Sequence, residues 1–483
     1  LRDIVENTDL SDLRYLFKYG RYITKNEINT ARFLLNYPED KILKLSGQVA
    51  KAYINGFKRN NKDISGKSTV MITYHIGQER IIRQLIKDLK KYNLEALISN
   101  VSSTSINKQY NYDHRFDASL YLDNEYTSLY EKNFEEAGER CKDILSVFSG
   151  IIPFHTFGEL PFKPENKKEC LKFTEEQQKL FQIHQNNIVK IREKYIPLVE
   201  ISFSVISFPS PEVGENFEQI FEDILEINML DTDKYENIQQ EIIDVLDKAD
   251  YVHVKGKGKS KTDIKVKMQK LRNPEKETNF LNCGADINIP LGEVYTSPQL
   301  KDTNGILHIE ETYLSGLKFV DLELTFKDGY IVDYKCGNFD KVEDNKKYIE
   351  ENLLFPHKTL PLGEFAIGTN TIAYVIAKKH NIMNILPVLI IEKMGPHFAI
   401  GDTCFLLSED KPVFNRLNNK EVIARENEKT ALRKTKPNEA YTYRHTDITL
   451  PYESIEFVTV ITENGEKIDI IRNGKFVLEG TDE

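Results

Sequence analysis

Apolar residues within the first 62 positions recur at spacings of three and four, most clearly at Ile42, Leu45, Val49, Tyr53 and Phe57, which places them on one face of a helix. Residues 1–62 therefore read as a helical N-terminal appendage. Beyond a break at residues 63–67, Val70, Met71, Ile72 and Tyr74 suggest a strand, Ile82, Leu85, Ile86 and Leu89 the inner face of a helix, and residues 96–99 a second strand. Strand, helix, strand predicts a parallel βαβ unit. Thr174 and Gln177 have capping-box spacing before a helix to about residue 195. Residues 198–208, rich in apolar and β-branched side chains, read as a strand, and amphipathic helices over 217–228 and 235–248 complete an α/β domain spanning 63–250.

After residue 250 the pattern shortens to alternation. Leu322, Leu324 and Phe326 alternate, Asp328-Gly329 supplies a turn, and Tyr330, Val332 and Tyr334 alternate back. Asn464-Gly465 and Asn473-Gly474 mark the tight turns of a terminal meander. The expected fold is thus an α/β N-terminal domain with parallel βαβ units, followed over 251–483 by an α+β catalytic domain rich in antiparallel strands.

Composition acts mainly by exclusion. A net charge of −10 argues against a nucleic-acid partner, whose phosphates call for clustered Lys and Arg. The longest apolar run, residues 385–391, is far short of the roughly 20 residues of a membrane helix, so no membrane partner is expected. Five scattered cysteines without a Cys-x-x-Cys pair, and an opening segment carrying Arg2, Asp3, Glu6 and Asp9, point to a reducing cytoplasm rather than secretion. Gly256, Gly258, Lys259 and Ser260 imitate part of a phosphate-binding loop, but the first glycine of that motif is replaced by His253. The lysines of 255–261 read as a solvated hairpin tip.

The informative residues are hard-metal donors beside glycines, prolines and strand ends. Glu293 lies in Gly-Glu-Val-Tyr-Thr-Ser-Pro. Glu364 lies in Leu-Gly-Glu-Phe-Ala-Ile-Gly-Thr-Asn, among apolar positions where a carboxylate demands a partner. His397 lies in Gly-Pro-His-Phe-Ala-Ile-Gly, and His445 and Asp447 share one face of a strand-like segment. Two imidazoles and three carboxylates suit a pair of divalent cations. On spacing alone the alternative stays open that each is a separately hydrogen-bonded rim residue.

In order and wording these segments (288–298, 363–370, Glu392-Lys393 with His397-x-Ala399-x-Gly401, and His445-x-Asp447) resemble the thermophilic-type metallo-aminopeptidase family. The resemblance implies that Glu293, Glu364, His397, His445 and Asp447 bind two divalent metal ions per chain, zinc or cobalt foremost, with magnesium or manganese as alternatives. It implies metal-assisted hydrolysis at the N-terminus of short peptides, with Glu293 or Glu364 as the catalytic carboxylate, by a homodimer enclosing a cavity. The alternatives are another metallohydrolase on the same scaffold and a degenerate peptidase that binds peptides or a partner. Where the family has a metal-site tyrosine, seven residues after His397, this chain has Cys404, which as a thiolate would favour zinc and as a buried bystander would not. The interval from His397 to His445 is longer than the family's, so an insertion over about 415–440 is expected near the site entrance.

Overall fold

The helix Glu39–Arg59 starts just after Pro38, whose carbonyl accepts from the Ile42 amide at 3.1 Å. It carries Glu39 and Asp40 in its first turn and Lys58 and Arg59 in its last, charges that suit the two ends of its dipole. Its inward residues Ile42, Leu45, Val49, Tyr53 and Phe57 are at most 2% exposed, the face that the spacing predicts. The computed structural model describes residues 1–481 apart from 60, 61, 229, 231 and 285–287.

That helix packs on a parallel sheet. Thr69–His75 pairs in parallel with Glu95–Leu97 and with Phe148–Phe157, and the helix Glu79–Lys90 makes the crossover with Ile82, Leu85, Ile86 and Leu89 buried. The sheet runs on through Val205–Pro209 to its edge at Asn288–Ile289, again in parallel. Apolar residues of 1–59, of this sheet and of the later helix Thr371–His380 form one continuous core. Within it the Glu79 carboxylate accepts from the Tyr15 hydroxyl, from the Tyr19 hydroxyl at 2.9 Å and from the Gly77 amide.

The capping box at Thr174 and Gln177 forms and opens the helix Glu175–Tyr195. Residues 198–208 are only partly strand. Glu193 accepts the Leu198 amide at 3.1 Å, which diverts the chain into the 3-10 turn Leu198–Glu200 before the strands Ser202–Phe203 and Val205–Pro209.

The second half is antiparallel. Eight strands form one sheet, in which Leu317–Lys327 and Tyr330–Lys335 make the expected hairpin with Asp328 and Gly329 at φ 47° and 74°, the left-handed pair that its tight turn needs. The tight turn pairs Ile331 with the buried Phe326, so that Ile331 is buried, while Val332, skipped by the register shift between Thr325 and Phe326, is 57% exposed. The chain ends in the meander Ile455–Ile461, Lys467–Arg472 and Lys475–Phe476. The architecture is α/β followed by α+β. Among the described residues no helix is long and apolar enough to cross a membrane.

Candidate metal centre

A five-stranded antiparallel sheet carries the donors, in the order Leu281–Cys283, Glu293–Thr296, Leu362–Gly368, Pro396–Gly401 and His445–Thr449. The chain reaches it from the edge of the parallel sheet at Asn288–Ile289, so the segment 288–298 joins the two sheets. The junction turns at Gly292, with φ 122° and only 3.0 Å between a would-be Cβ and that of Asn370, a place where glycine is required.

Register then aligns residues far apart in sequence. Glu293 stands opposite Gly368, His397 opposite Ala366, Asp447 opposite Ala399 and His445 opposite Gly401, so small residues flank the functional side chains. A shift between Leu362 and Glu364 sets the second glutamate. Every residue of Leu362–Gly368 and Pro396–Gly401 is buried, which makes Glu364 and His397 charged or polar groups on two fully buried strands.

All five anticipated residues converge. His397 Nε2 lies 3.5 Å from Glu293 Oε2 and 3.6 Å from Glu364 Oε1, while His445 Nε2 lies 3.3 Å from Glu364 Oε2 and 3.3 Å from Asp447 Oδ1. Glu364 thus turns one oxygen toward each histidine. Two donors bound at roughly 2.0–2.2 Å to one tetrahedral ion stand about 3.4 Å apart, so these separations fit divalent cations bound by imidazole and carboxylate. Glu293, Glu364 and His397 are nearly inaccessible, whereas the His445 side chain is 33% exposed, which gives the centre a deep side and an open side.

The electrostatics follow from burial. Burial alone would raise the Glu364 pKa, but hydrogen bonds and charge from His397 and His445 outweigh it and hold the group below the usual carboxylate range. Burial disfavours a proton on His397, yet Glu364, with help from Glu293 and Asp447, pushes it up to about 9. The carboxylates thus favour the protonated, cationic form of His397.

Three further residues, Glu392, Lys393 and Cys404, lie against these five. Lys393, fully buried, places Nζ 2.7 Å from Glu293 Oε1 and also contacts Glu392 Oε1. It arrives there because Gly368 lets the turn Glu392–Met394 pass under the sheet, where a Cβ would lie 2.4 Å from Glu392 O. Burial first, then repulsion from Glu293 and Asp447 against the attraction of Lys393, raises Glu392 to about 7. Sequence reasoning kept this pair only as part of a motif, since adjacent Glu and Lys usually mark a solvated face. Cys404 adds its Sγ 2.6 Å from Glu364 Oε2 on the open side. The segment 415–440 packs at the far edge, where Asn415 Oδ1 accepts from the Asn282 amide at 2.9 Å, and reaches the helix Glu175–Tyr195 through Lys190 and Asn438 at 2.7 Å.

The model of the family described as thermophilic metalloprotease (M29) matches residues 49–476 of this chain. Among solved structures, wild-type AmpT from Thermus thermophilus is similar, with a TM-score of 0.53 and 15% sequence identity over 90% of this chain and 99% of that one. At that identity the likeness concerns the fold. No curated protein matches.

Proposed function

Because this chain belongs to the thermophilic metalloprotease (M29) family, we propose that it is an aminopeptidase that removes N-terminal residues from short peptides at a centre for two divalent ions. The observation that carries this reading is the Glu364 carboxylate, which stands between two donor groups, His397 with Glu293 on the deep side and His445 with Asp447 on the open side. When bound, such ions acidify water and polarise a carbonyl.

The chain's own residues then have separable tasks. Glu293, Glu364, His397, His445 and Asp447 are the ligands. Lys393 takes up one oxygen of Glu293 and leaves Oε2 facing His397. Glu293 and Glu364 are the candidates for moving the proton of the attacking water. The donor set favours zinc or cobalt, with magnesium or manganese as alternatives. A cytoplasmic homodimer whose cavity admits only short peptides completes the proposal, and neither nucleic acid nor a membrane has a role in it. A division at about residues 62 and 250 into appendage, α/β domain and catalytic domain is part of the same reading.

The test is elemental analysis after reconstitution with zinc, cobalt and manganese, combined with a panel of free and N-acetylated short peptides. The reading expects close to two ions per chain, hydrolysis confined to free N-termini, and loss of turnover with a chelator. No bound ion in any of the three metals would contradict it.

A further inference from the structure

We propose that Cys404 is itself a ligand, a thiolate on the open-side ion, and that it makes this half of the centre selective for zinc-like cations. The proposal rests on the metallopeptidase reading for the presence of an ion, and on geometry for the rest. Cys404 follows the buried strand Pro396–Gly401 and is exposed, with Sγ 2.6 Å from Glu364 Oε2 and 3.9 Å from His445 Nε2. These three side chains each bring a donor atom within 4.8 Å of the others. A tetrahedral zinc with bonds of about 2.3 Å to sulfur and about 2.0–2.1 Å to nitrogen separates those two donors by roughly 3.5 Å. The S to N distance is therefore within a few tenths of an ångström of what an ion needs.

The sulfur stands closer still to Glu364, to whose carboxylate the thiol donates. An ion bound here would take the sulfur as a thiolate, the S–H bond breaking and its proton leaving to solvent.

The partner histidine is already set for this. His445 Nδ1 donates to the Asp402 carbonyl at 2.7 Å, which orients the ring so that Nε2 faces Glu364 and Cys404. The Asp402 carboxylate in turn accepts from the Thr442 amide at 2.8 Å and the Tyr443 amide at 2.6 Å. One residue, two positions before Cys404, therefore anchors the turn that carries the thiol and orients the imidazole it would work with. Among the described residues the deep-side group consists of Glu293, Glu364 and His397, without a sulfur donor. A soft thiolate on one side alone gives two unequal halves, the open one preferring zinc or cobalt over magnesium or manganese.

The experiment is the absorption spectrum of the full chain loaded with cobalt(II), with cobalt content measured alongside. Wild type is expected to show a sulfur-to-cobalt charge-transfer band in the near ultraviolet, absent in Cys404→Ser and in Cys404→Ala, while circular dichroism shows both variants folded. Zinc affinity of the variants should fall about tenfold or more, and magnesium affinity should not. Wild type that binds cobalt without the band overturns the proposal, as does a band that survives in a folded Cys404→Ser. Failure of wild type to bind any cobalt overturns the metallopeptidase reading, and this proposal with it.

Discussion

The ammonium of Lys393 lies 2.7 Å from Glu293 Oε1 on a side chain that is 1% exposed. A buried lysine of this kind is stable only because Glu293 and Glu392 surround it, and they in turn rely on its charge.

Lys393→Met should therefore leave two buried carboxylates unbalanced and lower stability by about 3–5 kcal/mol. A divalent ion beside Glu293 restores part of the missing charge, so zinc should raise the melting temperature of the variant by more than it raises that of wild type. Thermal unfolding with and without zinc measures both. Equal stability of variant and wild type would mean that the ion pair does not matter.

Proton release should accompany metal binding. His397, which burial would keep neutral, is pushed up to about 9 by Glu364 and then by Glu293 and Asp447, so near neutral pH an ion must displace its proton. Zinc affinity on the deep side, where His397 is the ligand that must lose a proton, should rise by about tenfold per pH unit and level off once His397 deprotonates. The same shift acts on the metal-free fold. The folded pKa lies above the unfolded value of about 6.5, so the contribution of His397 to stability is complete below that value and is lost as pH rises through about 9. Calorimetry in buffers of different ionisation enthalpy reads the released protons, and no release at pH 7 would contradict this electrostatic account.

Glu79 should matter to stability and not to catalysis. Its carboxylate satisfies Tyr15, Tyr19 and the Gly77 amide inside the N-terminal core. Glu79→Ala strands these donors and should cost about 3 kcal/mol in urea unfolding, with turnover per folded chain unchanged. A cost below about 1 kcal/mol would show that water replaces the carboxylate.

The proposed homodimer should sediment as twice the chain mass at micromolar concentration and should cleave tripeptides while sparing long unfolded chains. A monomer that trims long chains from their N-termini would contradict both halves of that expectation.

Local elements were legible wherever one periodicity decided them. The stripe from Ile42 to Phe57 and the Thr174–Gln177 capping box needed no distant partner. Val332 did not follow, because the tight turn pairs Ile331, not Val332, with the buried Phe326, a register that alternation within one strand does not reveal. At the site, His445 and Asp447 were legible as an i, i+2 pair on one strand face. Glu293, Glu364 and His397 come from three separate strands, and only the resemblance joined them. Lys393 was not legible as a buried group, since its burial depends on the close passage permitted by Gly368, a long-range contact with no trace in the local pattern.

Glu364 is the centre of the account, with one oxygen toward His397 and the other toward His445. Glu364→Gln keeps the shape of the side chain and removes the charge that would hold two cations roughly 3.5–4 Å apart. The most direct test measures bound metal and hydrolysis of an aminoacyl substrate for this variant beside wild type, both reconstituted with zinc. Wild type is expected to hold close to two ions, and the folded variant to lose at least one of them together with about 99% or more of its turnover. A variant that keeps two ions and most of its activity would contradict it.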